Sequence, residues 1–89
     1  MSDRVRRSRG VAHRQVEDQT VIIVPRTSEV VVLNGTGSVV WQLSDGENDL
    51  DAVVAEVAAR FEAPPSEVRR DVEQLYQQLI AAGVAQPVP

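Results

Sequence analysis

The chain has 89 residues, 43% of them hydrophobic, and a net charge of −4, which bounds it to one small domain with a thin, valine-rich core. There is no cysteine, which excludes disulfides, thiolate metal sites and cysteine nucleophiles and fits a reducing, cytoplasmic setting. No apolar run reaches the roughly 20 residues of a membrane span, so no membrane contact is expected.

Residues 1–10 (MSDRVRRSRG) hold four of the nine arginines, Arg4, Arg6, Arg7 and Arg9, and little apolar company. They read as a disordered arm. From residue 15 onward four arginines face twelve acidic residues, so the body is acidic and repels nucleic acid. Residues 11–16 form a weak strand candidate, and TVIIV over residues 20–24 is a strong one. Pro25-Arg26-Thr27-Ser28 supplies a hairpin loop, and residues 29–33 (EVVVL) return as a third strand. Short loops join these strands most simply as an antiparallel meander.

Asn34 then starts a helix over residues 35–44, carrying Val39, Val40, Trp41 and Leu43 and stopping at Asp45-Gly46. A second helix, residues 50–61, has Leu50, Val53, Val54, Val57 and Phe61 on one stripe, with Phe61 expected in the core. The third begins near Pro65 and ends before Gly83. Its narrow stripe is Val68, Val72, Leu75 and Leu79; Arg69, Tyr76 and Ile80 widen one side, and Asp71 and Gln78 mark the polar flank opposite. Residues 85–89 read as a disordered tail, leaving 11–84 as the domain. The fold class is α+β: a three-stranded antiparallel meander followed by three helices.

Catalytic chemistry has little to work with. His13 is the only histidine and sits in the weak strand. One histidine and no cysteine cannot build the usual nitrogen or sulfur metal sites, and the acids of residues 47–51 lack the length and terminal glutamate of a calcium loop. Gly35-Thr36-Gly37 is too short for a phosphate loop and the chain contains no lysine. No catalytic residue, metal or cofactor is therefore expected. Two features exceed what a core requires: strands apolar on both faces, with one edge bare, and the one-sided widening of the third helix.

The order of elements, with Leu33-Asn34, Gly37, Trp41, Asp45-Gly46, Phe61, Pro65, Asp71-Val72 and Gly83-Val84 in place, resembles the PqqD family of peptide-recognition proteins, the RiPP recognition elements. The resemblance spans residues 11–84; Pro25-Arg26 stands where founding members often carry Pro-Glu. It implies a winged-helix-like domain without catalytic activity. It also implies capture of a precursor peptide's leader segment by strand addition, for presentation to a radical-SAM maturase or a leader peptidase. Carried onto this chain, the peptide site is Glu29, Val30, Val31, Val32 and Leu33 on the third strand and Arg69, Val72, Glu73, Tyr76 and Ile80 on the third helix. Two other readings stand beside it. One is a winged-helix DNA-binding regulator using Arg69 and Arg70, which Glu67, Asp71 and Glu73 on the same helix disfavour. The other is a small homodimer joined through the sheet.

Overall fold

The structure is a computed structural model that describes residues 3–89. Its elements are β1 (Val5–Arg7), β2 (Ala12–Val16), β3 (Gln19–Ile23), β4 (Val30–Leu33), α1 (Gly35–Leu43), α2 (Leu50–Phe61), α3 (Pro65–Ala81) and β5 (Ala85–Pro87). Strands β2, β3 and β4 form the expected antiparallel meander, in that order, and three helices follow.

β3 is central and alternates. Thr20 and Ile22 point into the core, opposite Leu33 and Val31 of β4 and Gln15 and His13 of β2. The opposite face keeps Val16, Ile23, Val30 and Val32 exposed, so the β-branched run of β4 is apolar on both sides but covered on one. Trp41, 1% exposed, anchors the core beside Val40, with Val53 and Val57 of α2 and Val72 and Leu79 of α3. His13 meets the Trp41 ring edge-on, with centroids 5.4 Å apart.

The helix ends follow local chemistry, with one exception. Asp49 caps α2 by accepting the Ala52 N–H at 2.8 Å. Pro65 opens α3, and Gly83, at φ +78°, follows its end. Asn34 stands at the start of α1 with extended backbone, but its side chain accepts no N–H; its carbonyl alone takes the Ser38 N–H. Asp45 stops α1 as a turn, accepting the N–H groups of Glu47 and Asn48 at 2.9 and 3.0 Å. Those two donors hold its carboxyl below the usual carboxylate range.

Two expectations fail here. The basic arm and the C-terminal tail are not unstructured: β1 pairs antiparallel with β5, Val5 with Pro87 and Arg7 with Ala85. Met1 and Ser2, the start of that arm, lie outside the described residues. Val5 and Ala85 are buried, and Arg7 donates to the carbonyls of Trp41 (2.7 Å) and Gln42 (2.9 Å). An arginine there meets the last carbonyls and negative dipole end of α1, which gives this one basic residue a docking point. Phe61 is the second: it is 43% exposed. It ends α2 beside the start of α1, where a Cβ on Gly35 would lie 3.7 Å from its ring.

Candidate functional site: a free strand edge beside a groove

β4 is the outer strand of the meander, so among the described residues one of its edges has no partner strand. Which residues present main-chain groups there follows from the register. The Val24 N–H donates to the Glu29 carbonyl at 2.8 Å, which makes 24 and 29 a bonded pair of the β3–β4 ladder. Bonded pairs recur every second residue in an antiparallel ladder, so Ile22–Val31 and Thr20–Leu33 are bonded in the same way. Val30 and Val32 therefore turn their N–H and C=O groups away from β3, toward the open edge. Pairing with an incoming chain satisfies two donors and two acceptors.

Alongside this edge lies a groove of about 610 Å³ between the end of β4, the first turn of α1 and the middle of α3. Val32 and Leu33 form one wall and Val72 and Leu75 the other, with Gly37 and Val40 between them. Gln19, Asn34 and Thr36 supply neutral polar groups and Asp71 the one charge on the lining. The glycine is what keeps the groove open: a Cβ at position 37 would stand 3.3 Å from Leu33 Cβ and 3.7 Å from Leu75 Cδ2. α3 runs antiparallel to β4. Its C-terminal end, Ala82 and Gly83, meets the β3–β4 loop at Val24–Thr27, while Asp71 and Leu75 meet the Leu33 end.

The sequence-predicted residues divide. Val32, Leu33 and Val72 line the groove; Glu29, Val30 and Val31 lie on the same edge strand or just before it. The helix residues are mostly elsewhere. Tyr76 is buried in the core, and burial pushes its hydroxyl's pKa up. Arg69 pairs with Asp51 of α2, an exposed contact that raises the guanidinium's already high pKa. Arg69 and Glu73 share a polar surface with Ser66, Arg70 and Gln77, away from the groove. Ile80 is partly exposed and lines no part of the groove.

The helix is thus turned so that its Tyr76 flank faces inward and its Asp71–Leu75 flank faces the groove, the reverse of the expected widening. Among the groove residues that the predicted site missed are Gly37, Asp71 and Leu75. A glycine inside a helix was the available signal for the first, since it implies a close approach. The arrangement suits binding rather than bond-breaking: main-chain donors and acceptors, an apolar cleft and one carboxylate. Among the described residues no three His, Cys, Asp or Glu side chains gather to hold a metal ion.

The family model for coenzyme PQQ synthesis protein D (PqqD) matches residues 19–85. A protein from Rhizobium meliloti (strain 1021) named PqqA binding protein is 34% identical over 77 residues, covering 84% of this chain and 76% of that protein. Among solved structures, TbiB1 in complex with the TbiA(beta) leader peptide superposes with a TM-score of 0.82 at 19% identity, over 94% of this chain and 98% of that one. Lasso peptide synthetase B1 complexed with the leader peptide gives 0.81 at 22% identity, over 93% and 98%. The solution structure of the PqqD portion of Methylobacterium extorquens PqqCD, described as a stand-alone RiPP recognition element, gives 0.74 at 21% identity, over 92% and 87%. At those identities the solved structures establish the shared fold. Together with the family model and the Rhizobium relative, they place this chain in the PqqD family.

Proposed function

We propose that this protein captures the leader segment of a ribosomally made precursor peptide as an added strand on β4 and presents it to a modifying enzyme, without catalysing a reaction itself. The observation that carries this is the outward main-chain pairing capacity of Val30 and Val32 beside an open apolar groove. Each backbone hydrogen bond contributes about 0.5–1.5 kcal/mol net. One apolar side chain seated between Leu33 and Leu75 adds about 1.5–3 kcal/mol. The first term is independent of sequence and the second selects. The names of its relatives agree: one is a PqqA binding protein, and two of the superposing structures hold leader peptides.

The modifying enzyme is a radical-SAM maturase or a leader peptidase, working in the cytoplasm, where precursor peptides are made. No helix among the described residues is long and apolar enough to cross a membrane. The pairing of Arg69 with Asp51, and the acids Glu67, Asp71 and Glu73 on the same helix, weigh against DNA binding. Titrating a labelled PqqA leader peptide, the ligand class named for the Rhizobium relative, tests the proposal. Saturable binding is expected, and no binding at about 100 μM leader, a free energy weaker than roughly −5.5 kcal/mol, overturns it for that peptide.

A further inference from the structure

The groove is not electrically neutral along its length. Asp71 is exposed and carries the one charge lining it. The carboxylate of Asp18 stands nearby, 3.8 Å from where a Cβ on Gly35 would lie, next to the groove residue Thr36. Glu67 is one turn before Asp71 on the same helix. The arginines of α3 do not offset these acids, since Arg69 and Arg70 belong to the separate polar surface and Arg69 is paired with Asp51. At the other end of β4 Arg26 stands in the β3–β4 loop, against Ala82 and Gly83, and Glu29 directly precedes Val30. The Leu33 end is therefore anionic, whereas the Val30 end carries one charge of each sign.

Strand addition alone leaves a choice open. A bound chain can slip by two residues along β4 and keep every main-chain hydrogen bond and the same side-chain face. Something other than the backbone must set the register. Building on the reading of this groove as the peptide site, we propose that Asp71 sets it, by selecting a peptide whose apolar anchor, seated between Leu33 and Leu75, has a lysine or arginine at a fixed short distance. A slipped peptide places that cation against apolar wall instead. Asp71 is exposed, so the pair contributes modestly to affinity, about 2- to 5-fold, and more to discrimination among registers and peptides.

The test is a selection of short random peptides by mRNA display against four forms of the protein: wild type, Asp71→Asn, Asp71→Arg and Leu75→Arg, each checked for folding by circular dichroism. Wild type is expected to enrich peptides with Lys or Arg at one fixed spacing from an apolar residue. Asp71→Asn is expected to lose that spacing, and Asp71→Arg to enrich Asp or Glu at it. Replacing the cation by glutamine in a selected peptide is expected to weaken binding to wild type about 2- to 5-fold and to leave Asp71→Asn unaffected. Equal basic enrichment in wild type and Asp71→Asn, or no enrichment in either, overturns the role of Asp71. Leu75→Arg fills the groove and reports on the underlying site separately: if it binds the wild-type peptides undiminished, the groove is not where peptides bind.

Discussion

Gly37 of α1 and Leu75 of α3 meet at the floor of the groove, where a Cβ on the glycine would come within 3.7 Å of the leucine's Cδ2. It would also press on Leu33 Cβ at 3.3 Å, a separation tighter than ordinary contact. Gly37 sits inside α1 with helical backbone, so alanine there gains up to about 1 kcal/mol of helix propensity while crowding Leu33. Gly37→Ala is expected to stay within about 1 kcal/mol of wild type in stability while weakening leader binding about 5-fold or more, as overpacking a fitted site does. Urea unfolding and a binding titration read the two effects apart. Unchanged affinity would mean that the groove floor does not touch the peptide.

Tyr76 belongs to the fold rather than to the binding surface. Tyr76→Ala is expected to cost about 3–5 kcal/mol of stability, as for other buried aromatics. Tyr76→Phe isolates the hydroxyl. Burial raises its pKa above the ordinary value of about 10, so the stability it contributes is complete below that pH and is lost as pH rises through the folded value. Urea midpoints of wild type should therefore fall above about pH 10 more steeply than those of Tyr76→Phe. Parallel declines would show that the hydroxyl is not shielded.

The chain ends stabilise one another through β1 and β5. Removing residues 1–9 exposes the side of the core covered by Val5 and takes the Arg7 donor from the carbonyls of Trp41 and Gln42. Burial of Val5 contributes about 1.5–2 kcal/mol and the charged hydrogen bonds, partly exposed, about 1 kcal/mol. A loss of at least about 2 kcal/mol is expected by urea unfolding, instead of the 0.5 kcal/mol or less that a solvated arm implies. An unchanged midpoint would mean that β1 does not contribute to the fold.

The contrast between these elements shows what a sequence can reveal. The meander and the three helices were legible because each leaves a local trace: Pro25 and Ser28 bracket a hairpin, and the Leu50–Val57 spacing repeats with the helix. The pairing of β1 with β5 leaves none, because two three-residue strands join opposite ends of the chain. The edge strand at Val30–Leu33 was also visible, as an apolar run that fails to alternate. The helix wall was not. Leu75 belongs to the Val72 stripe and Tyr76 flanks it, and which of them faces inward is set by how α3 packs on the other elements, which local spacing does not record. Phe61 continues the α2 stripe perfectly, yet the last turn reaches α1's start instead of the sheet.

Strand addition to β4 is tested most directly by amide hydrogen exchange, followed residue by residue by NMR with and without the bound leader. The N–H groups of Val30 and Val32 face the open edge, whereas those of Val31 and Leu33 already bond to β3. Leader binding is expected to slow exchange at Val30 and Val32 strongly, to change Val31 and Leu33 little, and to leave β2 (Ala12–Val16), the other edge strand, unprotected. Saturating leader with no added protection at Val30 and Val32, or protection along β2 instead, would contradict it.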